Sequence, residues 1–148
     1  MKYHVTIFFM AQFQFGSALS APGIRSTAVV GVGVLGTHLC RLILECPDFA
    51  DSTVVGITKT TNHHEDIQAQ VLSNTGEDLS LSENNRDRFR LATMDEMRTS
   101  GEQFDQVVFC APPSGFEDYP GAVHEAASKL WRGDSAGGLF VFTSSGAV

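Results

Sequence analysis

From Thr27 to Phe49 a β-branched run, three glycines at fixed spacing and an amphipathic segment follow one another without a break, and no other stretch constrains the fold as tightly. Ala28-Val29-Val30 reads as a strand, Gly31-Val32-Gly33-Val34-Leu35-Gly36 as a turn, and the residues up to Cys46 as a helix that Pro47 stops. Each glycine has a physical task in a dinucleotide-binding unit. Gly31 permits the tight turn, Gly33 lets the backbone approach a pyrophosphate, and Gly36 lets the helix pack closely on the strand. The free N–H groups at the helix start, from Val34, Leu35 and Gly36, are then placed to bind phosphate with help from the helix dipole. Leu35, Leu39, Leu42 and Ile43 fall at helical spacing and are expected to face the sheet.

A second strand, Thr53 to Ile57, follows at the spacing of a βαβ unit, which raises the glycine pattern above a bare turn. An Asp or Glu some 20 residues past the glycines would hold the ribose hydroxyls of NAD. Here Gly56-Ile57-Thr58-Lys59-Thr60-Thr61-Asn62 offers no acid before Glu65. A carboxylate would repel a 2′-phosphate, whereas Lys59 and the hydroxyls of Thr58 and Thr60 can hold one, so the pattern favours NADP over NAD. His63-His64-Glu65 is expected to be a solvent-exposed helix start, because adjacent histidines diverge on a helix and no third metal ligand is placed nearby.

Further along, Glu65 to Leu72 is helical, Ser73 to Asp87 is polar and turn-rich and reads as loop, and Arg88 to Ala92 alternates like an edge strand. Gln106 to Ala111 is almost continuously apolar, as a strand covered on both faces would be, and ends at Pro112-Pro113-Ser114-Gly115. Gly121 to Trp131 reads as a helix with Val123, Ala126, Ala127 and Leu130 on one face, and Gly138 to Thr143 as another buried strand leading into Ser144-Ser145. Strands alternating with helices imply an α/β fold, a Rossmann-like doubly wound parallel sheet. In such a sheet the loops at Gly31–Gly36, Thr58–Thr60, Ala111–Ser114 and Ser144–Ser145 converge on one crevice at the carboxyl ends of the strands.

Charge narrows the ligand. Seventeen acidic against ten basic side chains leave a net charge of −7, which argues against partners such as nucleic acid or an anionic membrane. Cys40, Cys46 and Cys110 form no CxxC pair and read as buried thiols in a reducing compartment. The apolar run from Val5 to Met10 falls far short of the ~20 residues of a membrane span. Residues 1–26 hold four of the eleven phenylalanines and no acid, the first being Glu45. They read as a leader set before a nucleotide-binding domain at 27–148, either poorly ordered or an organellar transit peptide, with a secretory signal a weaker third reading because Gln12 and Gln14 break the apolar stretch. The compartment is accordingly cytoplasmic, or plastid or mitochondrial if the leader is a transit peptide.

Val29–Gly36 (VVGVGVLG), Val107–Gly115 (VVFCAPPSG) and Phe140–Val148 (FVFTSSGAV) resemble the short-chain dehydrogenase/reductase superfamily, in its extended or atypical branch of epimerase- and dehydratase-like proteins. The resemblance runs from Thr27 to Val148. It implies that Ser145 hydrogen-bonds the substrate carbonyl or hydroxyl, and that Ala111 and Pro112 line the nicotinamide-ribose side of the cofactor, with Ser144 also among the cofactor-binding residues. The branch often carries GxxGxxG, and here Val30 stands at its first glycine. The family's proton-transfer pair, YxxxK, is absent: Tyr3 and Tyr119 are followed four residues later by Ile7 and Val123. The expected architecture is therefore a Rossmann sheet incomplete at its carboxyl-terminal side, the cofactor-binding half of an NAD(P)-dependent oxidoreductase whose small-molecule substrate site belongs to a longer chain. A noncatalytic nucleotide-binding or redox-sensing module is the alternative.

Overall fold

The computed structural model describes residues 26–73, 79–134 and 137–143, so Ser144, Ser145 and most of the leader lie outside the described residues. Strand β1 (Ser26–Val30) leads through helix α1 (Val34–Glu45) to β2 (Thr53–Thr58). Helices α2 (His64–Leu72) and α3 (Leu79–Arg88) precede β3 (Phe89–Thr93). Helix α4 (Met94–Ser100), β4 (Gln106–Phe109), α5 (Tyr119–Lys129) and β5 (Leu139–Phe142) complete the order. The strands pair in parallel as β3-β2-β1-β4-β5, with Val30 of β1 in register with Ile57 on one side and Phe109 on the other. This is the Rossmann-like parallel sheet expected from the alternation of elements. The order reverses between β1 and β4, where ligand crevices open in such sheets.

Because side chains alternate along a strand, the central strands feed two cores. Val29 and Val54 pack with Cys40 and Leu44 of α1 and Val71 of α2. Ala28, Val30, Val55 and Ile57 face the other way, onto Met97 of α4 and Ala126 of α5. Covering on both faces explains why Val54-Val55 and Val107-Val108-Phe109 are unbroken apolar runs.

Four expectations are revised. Helix α1 turns Gly36, Cys40 and Leu44 to the sheet, while Leu35, Leu39 and Ile43 are half-buried and Leu42 is 48% exposed. Gly36 packs tightly against the turn at Gly31, and the buried stripe runs from it in steps of four rather than through the leucines. The passage expected as loop from Ser73 to Asp87 contains α3. That helix lacks an apolar period and is tied down by its last residue, Arg88, which donates to the carbonyls of Leu44 at 3.2 Å, Ser52 at 2.9 Å and Phe49. Strand β5, whose apolar run reads as a buried strand, forms a sheet edge among the described residues, as expected of a sheet incomplete at its carboxyl-terminal side, with Leu139 and Phe142 exposed. Helix α5 begins two residues earlier than expected, at Tyr119, because Asp118 caps it through the Gly121 N–H at 2.9 Å and Pro120 fits its first turn.

Candidate functional site

The loops at the carboxyl ends of β1, β2 and β4 enclose a crevice of about 1150 Å³. Its floor is the turn at Gly31–Gly36. Gly31 has φ +91°, donates its N–H to the Ile57 carbonyl at 2.9 Å, and would bring a Cβ within 2.6 Å of the Ala111 Cβ. A Cβ on Gly36 would run into the Gly31 carbonyl and lie 3.3 Å from Cys110 Sγ. Gly33 differs from both: it is exposed, and a Cβ there would meet nothing within 4 Å. It sits at the start of α1, where no side chain caps the helix and no acid occupies the first turn. The protein thus leaves unobstructed space above Gly33 beside the N–H groups of Val34, Leu35 and Gly36, and Val34 is 95% exposed at this point. A pyrophosphate fits such a cradle both sterically and electrostatically.

On the β2 side, Thr58, Lys59 and Thr60 reach the crevice as expected. Thr58 Oγ1 is already engaged, 2.9 Å from the Thr60 carbonyl and 2.6 Å from His64 Nε2. His64 is therefore half-buried and bonded, a correction to the fully exposed helix start, whereas His63 is exposed. The difference arises because the first turn of α2 folds back over the end of β2. Lys59 extends across the opening, with Nζ 3.4 Å from the Gly115 carbonyl. Among the described residues no group of three His, Cys, Asp or Glu is placed to hold a metal.

On the β4 side, Ala111 and Pro112 line the crevice. Tyr119 donates its hydroxyl to the Ala111 carbonyl at 3.0 Å, and burial, with Cys110 nearby, pushes its pKa up. Cys110 donates to the Gly31 carbonyl at 3.2 Å, and burial raises its thiol to about 11. Burial, reinforced by Cys110, raises Cys40 to about 12. Both thiols are thus neutral near pH 7; Cys40 is buried as expected, whereas Cys46 and Cys110 are only half-buried, and all three are free. Ser144 and Ser145 lie outside the described residues; Thr143, just before them, donates its N–H to the Phe109 carbonyl at 3.0 Å.

Sequence reasoning missed a further wall of the crevice, formed by α4 and α5. Arg98 of α4 donates from Nε and Nη2 to the two carboxylate oxygens of Glu125 on α5, at 2.6 and 2.8 Å, and from Nη1 to Asp95. The hydrogen bonds between them, reinforced by their opposite charges, hold the Arg98 pKa above its ordinary value and that of Glu125 below. Asp95, Arg98 and Glu125 all line the crevice. The pair is 27 residues apart in sequence, so no local pattern announces it.

No protein-family model matches the chain, and no curated protein is similar to it in sequence. Several solved structures are similar to it. A diketoreductase acting on dicarbonyl compounds superposes with a TM-score of 0.58 at 17% identity over 85% of this chain and 44% of its own. The reductase domain of a nonribosomal peptide synthetase from Mycobacterium tuberculosis gives 0.46 at 17% identity, over 80% of this chain and 33% of that one. An NDP-N-acetyl-D-galactosaminuronic acid dehydrogenase from Methanosarcina mazei Go1 gives 0.38 at 22% identity, over 62% and 20%. The chain spans less than half the length of each.

Proposed function

We propose that the crevice binds a nicotinamide dinucleotide, with its pyrophosphate over Gly33 and the N–H groups of Val34, Leu35 and Gly36. The observation that carries this reading is Gly33 itself: Gly31 and Gly36 must be glycine for the protein to pack, but nothing in the protein requires glycine at 33. A glycine facing open space beside an uncapped helix start suits a backbone that a phosphate approaches closely. The fold shared with a diketoreductase supports the choice of ligand only as far as fold can.

Within this reading, Thr58, Lys59 and Thr60 take the adenosine ribose, and the absence of an acid between Gly56 and Asn62 favours NADP over NAD. Ala111 and Pro112 flank the nicotinamide ribose, with Ser144 also among the cofactor-binding residues, and Ser145 hydrogen-bonds a substrate carbonyl or hydroxyl, as the resemblance to extended short-chain dehydrogenases and epimerases implies. A bound nicotinamide supplies a hydride donor or acceptor. The chain's own residues orient the cofactor and exclude water around it, and no proton-transfer step is assigned, because Tyr119 is followed by Val123 rather than by the lysine of YxxxK. For the same reason the 148-residue chain is expected to bind cofactor without turnover of its own, and a noncatalytic nucleotide-binding or redox-sensing module remains the second reading.

Titration of the isotope-labelled chain with NADPH tests the site by NMR. Amide shifts are expected to concentrate at 31–36, 58–60 and 111–112. Saturable binding that leaves the 31–36 amides unmoved would sink the assignment.

A further inference from the structure

Arg98 lines a crevice proposed to take a phosphate-rich ligand, and an arginine there invites the role of phosphate clamp. Its surroundings argue otherwise. Three of its five N–H donors are engaged, those of Nε and Nη2 by Glu125 and one of Nη1 by Asp95, and hydrogen bonds of this kind lie in the plane of the group. One positive charge against two carboxylates leaves the cluster at a net −1, which repels phosphate. The Arg98 side chain nonetheless lines the crevice and is 48% exposed. A guanidinium held in orientation and neutralised by two carboxylates suits stacking on a planar, uncharged ring better than gripping a phosphate.

We infer that Arg98, fixed in orientation by Glu125 and Asp95, is the stacking platform for the purine base of the bound dinucleotide. The inference rests on the dinucleotide reading above and adds to it a specificity-determining residue contributed by α4. Glu125 is then a positioning residue: it anchors α4 to α5 and holds the plane of Arg98 in place. Met94, Phe116 and Ala122 line the same crevice and give it apolar surface suited to a base rather than to a phosphate.

Equilibrium binding of NADPH, NADH and ADP to the wild-type chain and to Arg98→Lys and Arg98→Met tests this. All three ligands carry adenine, and only NADPH carries the 2′-phosphate. Lysine keeps the charge and the ion pairing but has no planar face, so both variants are expected to weaken all three ligands by about the same factor, roughly tenfold. The ratio of NADPH to NADH affinity stays constant. Wild-type affinity retained in Arg98→Lys, or a loss confined to NADPH, would overturn the inference and make Arg98 a charge contact. Failure of the wild-type chain to bind any of the three would instead overturn the dinucleotide reading and this inference with it. Thermal melts of both variants separate lost stacking from lost folding, since Arg98→Lys preserves the charges that join the two helices.

Discussion

The turn between β1 and α1 has an inner and an outer side, and glycine serves a different purpose on each. On the inner side, Gly31 and Gly36 are pressed against Ala111, Cys110 and one another, so a single added carbon collides with backbone. On the outer side, Gly33 faces the crevice and a Cβ would touch nothing. The inner pair answers to the fold; the outer glycine does not, and in the proposed reading it answers to a ligand. The same three-glycine pattern in sequence therefore mixes two kinds of constraint that only the packing separates.

Substituting the inner pair has the largest expected effect. Gly36→Val forces a branched side chain into the Gly31 carbonyl and should cost about 3 kcal/mol or more, read as a collapse of the melting transition or as insoluble protein. A variant that melts like wild type would erase the distinction. Next in size is the choice of cofactor on the β2 side. Lys59→Asp should weaken NADPH about tenfold more than NADH, because the new carboxylate faces the 2′-phosphate. Equal losses on both cofactors would remove the case for NADP.

The smallest effect falls far from the floor of the crevice, at the start of α4. Thr93 Oγ1 accepts from the Glu96 N–H, and the Glu96 carboxylate accepts from the Thr93 N–H at 2.6 Å, closing a capping box. Bonds from the Thr93 N–H and hydroxyl hold the Glu96 carboxyl below its ordinary pKa. A carboxylate with a lowered folded pKa stabilises above its unfolded pKa and loses that contribution as pH falls through the folded value. Thr93→Ala should thus lower Tm by about 2–4 °C at neutral pH, and the gap from wild type should shrink under acid conditions. A gap unchanged down to the acid limit would show that Glu96 takes no part. Cofactor affinity should hardly change, since the box lies outside the turn at Gly31–Gly36.

The same contrast explains what the sequence discloses. Short-range patterns were legible: the strand, glycine turn and helix at Thr27–Cys46, and the apolar runs of β2 and β4, each carry their own period. The Thr93-x-x-Glu96 spacing that opens α4 is a readable start signal of the same kind. Helix α3 was not legible, because LSLSENNRDR has no apolar stripe and its anchor is Arg88, bonded to carbonyls 36 to 44 residues away. Neither was the α4–α5 wall, where Arg98 meets Glu125 only after β4 has been laid between them. The buried face of α1 lay between these extremes, since its helical period was visible but its rotation was fixed by the contact at Gly36.

The outer side of the turn offers the most direct test of the account. NADPH affinity and thermal stability are measured together on the wild-type chain and on Gly33→Val. The account predicts binding by wild type and a loss of at least about 100-fold in the variant, with a stability change of no more than about 1 kcal/mol from the altered helix start. Equal affinity in the two proteins, or no binding by wild type, would contradict it.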